Sequence, residues 1–221
     1  MHISDGILTL EVTVVSTTVA TLFLIYSFKN LSNDKIALAS AFSALFFVAS
    51  FIHIPFGFTQ IHLMLLGFIG VFLGSVAIFS ISLALILQAL LLGYGGVSSL
   101  GANVLIIAIP AYFVFLLFKI NILKKLNEKI KFFIIGFSGV FLSAIMMFIL
   151  LVFSKQEYKN AAYSIVLVNI PTMILEGLIT LFLFLYIKKT MPNLFKGLNI
   201  WDFFWFYFYQ YFYSLTRWIY F

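Results

Sequence analysis

The first two residues carry three nitrogen atoms that can bind one metal ion together. In a chain that starts with a free amine, these are the α-amine of Met1, the backbone amide nitrogen of His2 and its imidazole Nδ1. The amide has to lose its proton, which strongly polarising ions such as Cu(II) and Ni(II) promote and Mg(II) or Ca(II) do not. A plane of nitrogen ligands suits Ni(II) or Cu(II). The first residues therefore predict a transition-metal chelate.

Two further histidines, His53 and His62, flank a loop that contains Pro55. One more imidazole would complete a square of four nitrogen ligands. Imidazole must be neutral to coordinate, so we expect metal binding to weaken as the pH falls toward about 6.5. The alternative is that His2 is a surface residue at a frayed terminus. The chain has no cysteine, which removes disulfides and thiolate metal sites together.

The composition fixes the environment of these residues. The chain has 221 residues, of which 64% are hydrophobic and 9% charged, and its mean hydropathy is +1.16. A soluble domain carries about 25% charged residues, so this chain has too few to cover a water-exposed surface. A soluble enzyme, a disordered chain and a secreted disulfide module are excluded. The chain is predicted to be an integral membrane protein.

Apolar blocks long enough to approach a membrane span recur along the chain. They lie near 8–28, 36–54, 61–74, 76–93, 103–120, 132–154 and 163–187. The third and fourth run together, and we separate them because Gly67, Gly70 and Gly74 allow a tight turn or close packing there. The prediction is an all-α membrane protein with about seven transmembrane helices.

The positions of the lysines predict the orientation. With seven spans, ten lysines fall on one side and only Lys155 and Lys159 on the other. The ten are Lys29, Lys35, Lys119, Lys124, Lys125, Lys129, Lys131, Lys188, Lys189 and Lys196. The positive-inside rule places these in the cytoplasm and the N-terminus outside. The net charge of +6 is then a topology signal, and we expect no nucleic-acid partner.

Polar residues in such an apolar chain are candidates for function. On this topology His2, His53 and His62 all lie at the outer side, and Gln88 and Asn103 lie near it. The two amides are predicted to hydrogen-bond an imidazole or the N-terminal segment, with ordinary bonds between helices as the alternative.

Two acidic residues complete the set of candidates. Asp5 is predicted to orient the N-terminal segment by accepting from backbone N–H groups at the start of the first span, where it could equally be a simple helix cap. Glu176, in the middle of the last span, should be paired with a polar neighbour.

Four stretches resemble one family of membrane proteins in their sequence and their order. They are MHISDGIL at 1–8, IPFGFTQIHL at 54–63, QALLLGYGGVSSLGANV at 88–104 and PTMILEGLIT at 171–180. Together they are similar to the cobalt/nickel substrate-binding membrane subunits of energy-coupling factor transporters, the CbiM/NikM family. Gln60 and Ile61 stand where small hydroxylated residues are commoner in that family, and Ser98-Ser99 is a slight variation.

The resemblance implies a seven-helix subunit whose N-terminus is folded into the bundle. It implies one Ni(II) or Co(II) ion held by the Met1 amine, the His2 amide and imidazole, and the His62 imidazole. His53 does not match a family position, so we interpret it as a histidine on the metal's access path or at the membrane interface. The four-nitrogen plane favours nickel over cobalt. Cobalt uptake for cobalamin synthesis is the alternative.

The same resemblance implies partners and a location. The chain would be the substrate-binding component of an ABC-type uptake transporter in a prokaryotic cell membrane, in contact with lipid. Its partners would be a transmembrane scaffold subunit, ATPase subunits and a small accessory membrane subunit. The chain has no Gly-x-x-x-x-Gly-Lys-Ser/Thr loop, so ATP hydrolysis is expected on separate chains. We expect no catalytic residue and no cofactor, only a transported ion.

Two other classes of protein are the alternatives. An intramembrane metallohydrolase would need an open metal position and a general base, and a haem protein would hold its iron between histidines.

Residues 1–190 are predicted to be the metal-binding transmembrane domain and 191–221 a cytoplasmic-side aromatic tail. Fourteen of the twenty-one residues from Trp201 to Phe221 are aromatic. This composition indicates an interfacial helix or a docking surface for a partner subunit.

Overall fold

The structure is a computed structural model that describes residues 2–56, 59–120, 123 and 125–192, with the backbone alone for 53–56 and 59–61. The described chain is helical apart from one short hairpin, which confirms the predicted all-α membrane fold. The helices are α1 (Leu10–Lys29), α2 (Asn33–Ala49), α3 (Leu66–Leu73), α4 (Val76–Leu92), α5 (Leu100–Lys119), α6 (Glu128–Ser154), α7 (Lys159–Val168) and α8 (Ile170–Thr190). A 3-10 turn (Gln156–Tyr158) precedes α7. The hairpin pairs β1 (His53–Phe56) with β2 (Thr59–His62).

Four helical runs in the described chain are long and apolar enough to cross a bilayer. They are Leu10–Lys29, Leu100–Lys119, Glu128–Ser154 and the run Gln156–Thr190, which contains α7 and α8. The helix α4 is apolar but shorter, with 17 residues. These helices make the chain a multi-pass membrane protein.

The predicted third span, 61–74, is wrong as a continuous helix. Its first residues belong to β2, residues 63–65 are not helical, and α3 has only 8 residues. At about 1.5 Å per residue such a helix is about 12 Å long, far short of the ~30 Å hydrocarbon core. The predicted separation from the fourth span is confirmed at Gly74, whose φ of 59° and ψ of −128° end α3. The helix α3 is therefore a half-helix inside the bundle.

Two glycines let this half-helix pack against the backbone of its neighbours. A Cβ on Gly67 would lie 2.5 Å from the carbonyl oxygen of Ile135 in α6, and one on Gly70 would overlap the carbonyl of Ala111 in α5. Small residues allow such close approach between helices in a membrane. Every residue of α5 from Gly101 to Ala111 is buried, so α5 lies at the centre of the core.

Serine hydroxyls hydrogen-bond α1 and α2 to the α4 region. Ser27 Oγ donates to the carbonyl of Ser75 over 2.7 Å, and Ser43 Oγ donates to that of Ser80 over 2.8 Å. Lipid chains are as apolar as leucine side chains, so packing and hydrogen bonds of this kind drive helix association in membranes. They hold α1 and α2 against the α4 region.

The chain forms two compact units, Met1–Leu181 and Phe182–Phe221. The first holds every candidate residue named above. Residues 193–221, with most of the aromatic tail, lie outside the described part of the chain. The predicted domain organisation, 1–190 and 191–221, stays a prediction.

Candidate metal site

The N-terminal segment is inserted among the helices and held there by Asn103. The side chain of Ile3 is only 1% exposed. Asn103 Oδ1 accepts from the backbone N–H of Ile3 over 2.8 Å, and Asn103 Nδ2 donates to the Ile3 carbonyl over 3.0 Å. These two bonds mimic the pairing of adjacent β-strands. The predicted role of Asn103 in fixing the N-terminal segment agrees with this geometry.

Asp5 anchors the same segment to the loop between α4 and α5. Its carboxylate accepts from the backbone N–H groups of Val97 (3.1 Å) and Ser99 (2.9 Å) and from the hydroxyls of Ser98 (2.7 Å) and Ser99 (2.8 Å). These bonds, with the serine hydroxyls first, lower the pKa of Asp5. The prediction that Asp5 accepts from backbone N–H groups at the start of the first span is wrong. The reason is that α1 begins only at Leu10, beyond the reach of this side chain.

Two glycines shape the loop that receives Asp5. Gly95 and Gly96 have φ values of 77° and 80°, a left-handed conformation that glycine adopts without strain. A Cβ on Gly95 would lie 2.5 Å from Asn103 Nδ2, and one on Gly96 would overlap the carboxylate of Asp5. The loop can therefore pack against the N-terminal segment only because Gly95 and Gly96 have no side chains.

His2 is held by Gln88, which is completely buried in α4. The His2 Nε2 and the Gln88 Oε1 are 3.1 Å apart, and the Gln88 amide donates in turn to Ser50 Oγ over 2.7 Å. Burial lowers the pKa of His2, and the charge of His62 lowers it further, so His2 stays neutral at neutral pH. The predicted bond from Gln88 to an imidazole is present.

His62 lies at the end of the hairpin, shortly before α3. It is the last residue of β2, half-buried, with a buried Nδ1. The charge of His62 contributes to the lowered pKa of His2. In the hairpin register His62 is directly opposite His53. The side chain of His53 and the whole of Met1 lie outside the described part of the structure.

Glu176 fixes the chain just beyond His62. This fully buried carboxylate in α8 accepts from the backbone N–H of Met64 and from that of Leu65, at 2.9 and 3.0 Å for its two oxygens. Leu65 has a φ of 52°, a strained value for a bulky residue. Glu176 thus holds a strained turn at the start of α3, and the polar neighbour predicted for it is backbone.

Two residues of the site are not among those predicted from the sequence. Ser50 bonds Gln88, and Ser99 donates from its hydroxyl to the Ile3 carbonyl and to Asp5. A lone serine beside an apolar span carries no distinctive signal. Within the described residues, no group of three or more histidine, aspartate or glutamate side chains lies together.

Residues 2–194 match a family model described as "Cobalt uptake substrate-specific transmembrane region". The chain is 28% identical over 199 residues to a "Putative metal transport protein" of Haemophilus influenzae, covering 87% of this chain and 96% of that protein. A protein of similar name from Haloquadratum walsbyi is 27% identical over 173 residues, with 74% and 77% covered.

Two solved structures share this fold. One, of a transition metal transporter, superposes with a TM-score of 0.75 at 24% identity and covers 94% of this chain and 99% of that one. The other, of a truncated transition metal transporter, gives a TM-score of 0.74 at 24% identity and covers 86% and 99%.

Proposed function

The chain belongs to the family of cobalt-uptake substrate-specific transmembrane regions, and we propose that it captures Ni(II) through the Met1 amine, the His2 amide and imidazole, and the His62 imidazole. Its family and relatives are transporters, so the chain is the substrate-specific component of a metal uptake transporter and not an enzyme. This removes the metallohydrolase and the haem protein as candidates.

The contact between His2 Nε2 and Gln88 Oε1 is the observation that carries the proposal. An amide oxygen only accepts hydrogen bonds, so Nε2 carries the imidazole hydrogen and Nδ1 keeps its lone pair. Nδ1 is the ring nitrogen that can close a chelate with the backbone nitrogen of the same residue. The ring is thus set for the N-terminal chelate, whereas a histidine at a frayed terminus would need no buried partner.

The two hydrogen bonds between Asn103 and the backbone of Ile3, here called the Asn103 clamp, support the same ligand set. Asn103 binds both backbone groups of Ile3, the residue that follows the proposed chelate, and Asp5 holds the segment two residues later. A chelate that is fixed in space before the ion arrives loses less freedom on binding. His62 would then supply the fourth nitrogen from the hairpin.

Nickel is favoured over cobalt by the chemistry of the donor set. Four nitrogen ligands in a plane suit Ni(II), and deprotonation of the His2 amide requires a strongly polarising ion. Asp5, the acid nearest to His2 in sequence, already accepts from four donors of the loop between α4 and α5. It is therefore not among the proposed ligands. Cobalt capture for cobalamin synthesis uses the same ligands and is the second candidate.

The transporter is proposed to be of the energy-coupling factor type in a prokaryotic membrane, with separate scaffold, ATPase and small accessory subunits. The N-terminus would face outside and the lysine-rich ends the cytoplasm. The hydroxyls of Tyr26 and Tyr112 are 3.3 Å apart, so the C-terminal parts of α1 and α5 lie side by side. These two helices end at Lys29 and Lys119, which supports a single basic side.

Calorimetric titration of the purified protein with Ni(II) and Co(II) tests this proposal. We expect one ion per chain in a protein with a free amine at Met1, and no tight binding after a tag of several residues is added before Met1, because the Met1 amine then becomes a backbone amide nitrogen. His62→Ala should also lose tight binding, and His53→Ala should have a smaller effect. Tight binding by the extended protein would overturn the chelate. No binding of either ion by the unmodified protein would overturn metal capture at this site.

A further inference from the structure

We propose that Ser50 is a positioning residue that selects the metal-binding nitrogen of His2 by fixing the orientation of the Gln88 amide. The proposal rests on the ligand set proposed above. It concerns a residue that acts on His2 through the Gln88 side chain between them.

The argument starts at the C-terminal end of α2, where the last carbonyl groups of a helix lack partners within the helix. The Ser50 hydroxyl donates to one of these, the carbonyl of Phe47, over 2.7 Å. A serine hydroxyl has one hydrogen. Because this hydrogen is used, Ser50 Oγ can only accept from any other neighbour.

The next group along is the Gln88 side chain, 2.7 Å from Ser50 Oγ. Only the NH₂ end of the amide can donate to an acceptor, so Nε2 of Gln88 has to face Ser50. The oxygen end of the amide then faces His2. Gln88 is completely buried and Ser50 nearly so, with 8% of its surface exposed. A reversed amide would leave two oxygen acceptors facing each other without water, which is costly.

The oxygen of Gln88 in turn fixes the tautomer of His2. It only accepts, so His2 Nε2 must carry the hydrogen, and a neutral imidazole has only one. His2 Nδ1 is then left with its lone pair free to bind a metal ion. The helix-end carbonyl of Phe47 thus determines, through Ser50 and Gln88, which nitrogen of His2 is available.

Removal of the Ser50 hydroxyl should release this constraint. Ser50→Ala removes the acceptor that selects the NH₂ end of the Gln88 amide, so the amide can reverse and present its NH₂ group to His2. The ring would then bind that group through an unprotonated Nε2 and place its hydrogen on Nδ1, where it blocks metal binding. Ser50→Thr keeps the hydroxyl and should keep the orientation.

The test is ¹⁵N NMR of metal-free protein labelled at histidine, because the two tautomers differ strongly in their nitrogen shifts. The His2 signals are those lost in His2→Ala. We expect the unmodified protein and Ser50→Thr to show the Nε2–H tautomer, and Ser50→Ala to show a mixture with the Nδ1–H tautomer. Ser43→Ala is the matched control, since it removes another hydroxyl of α2 that donates to a distant carbonyl, and it should leave the tautomer unchanged.

The second measurement is the metal affinity of the same variants. Loss of a group that orients a ligand typically costs about 10–100-fold in metal affinity, and we expect that loss for Ser50→Ala, with recovery in Ser50→Thr. An Nδ1–H tautomer in the unmodified protein, or an unchanged tautomer in Ser50→Ala, would overturn the proposal. Ser50→Cys, whose thiol is a weak donor and acceptor, replaces Ser50→Ala if that variant does not fold.

The NMR result separates this proposal from the ligand set. A tautomer that depends on Ser50 in a protein that binds neither Ni(II) nor Co(II) would support the role of Ser50 on His2 and overturn the proposed metal ligands. Tight metal binding with a His2 tautomer that is the same with and without the Ser50 hydroxyl would support the proposed ligands and overturn the role of Ser50.

Discussion

Asn103 binds both backbone groups of Ile3, accepting from its N–H over 2.8 Å and donating to its carbonyl over 3.0 Å. The two residues are 100 positions apart in the chain, and both are almost completely buried. The Asn103 side chain therefore pairs with the N-terminal segment as a neighbouring strand would.

The first prediction concerns this clamp. Asn103→Asp replaces the NH₂ donor by an oxygen, which leaves the Ile3 carbonyl facing a second acceptor in a buried place. We expect Ni(II) affinity to fall by about 10–100-fold, the usual cost of losing a group that orients a ligand, as measured by calorimetry. Asn169→Asp is the control, because Asn169 Nδ2 donates to a carbonyl of its own helix, that of Ile165. Equal losses in the two variants would contradict the role of the clamp.

The second prediction separates backbone strain from collision in the loop that receives Asp5. Gly93 and Gly96 both have positive φ values, 68° and 80°, so alanine at either position costs about 1–2 kcal/mol in the left-handed region. A Cβ on Gly96 would overlap the Asp5 carboxylate, whereas one on Gly93 has no atom within 4 Å.

We therefore expect a loss of thermal stability in both variants, larger in Gly96→Ala because Asp5 must also move, and a loss of metal affinity in Gly96→Ala alone. Thermal unfolding and Ni(II) titration of the two purified variants provide both comparisons. Unchanged metal affinity in Gly96→Ala would show that the position of Asp5 does not affect the site.

The third prediction concerns the carboxylate at the start of α3. In Glu176→Gln one oxygen acceptor becomes an NH₂ donor that faces the backbone N–H of Leu65, from which both carboxylate oxygens accept. A buried group left without its partner costs about 1–3 kcal/mol, so we expect a lower unfolding temperature. Metal affinity should fall too, because the turn follows His62 directly. Glu157→Gln, the same substitution at an exposed position, should change neither property.

The fourth prediction concerns pH. Burial lowers the pKa of His2 in the folded protein, while the unfolded chain has an ordinary value of about 6.5. Below that pH the unfolded state binds more protons than the folded state, so the free energy of unfolding should decrease as the pH falls from about 7 to about 5. Thermal unfolding of the metal-free protein measures this slope. In His2→Ala the slope should be smaller, and an equal slope in both proteins would contradict the prediction.

The environment and several site residues could be predicted from the sequence, because a bilayer makes polar groups expensive. Gln88, Asn103 and Glu176 interrupt long apolar runs, and such residues persist in a membrane protein only where they have partners. The break at Gly74 was predictable for a related reason, since the apolar run around it is too long for one helix and contains glycines.

Only the tertiary structure decided which partners these residues take. Asp5 bonds a loop more than 90 residues away in the chain, Glu176 binds backbone N–H groups, and α3 is a half-helix. Ser50 is joined to His2 through Gln88 only when α2 and α4 are packed together. Backbone groups are the same at every residue, and a serine hydroxyl fits many surroundings. The sequence therefore determined that polar groups needed partners inside the membrane, and the packing of the helices determined which groups meet.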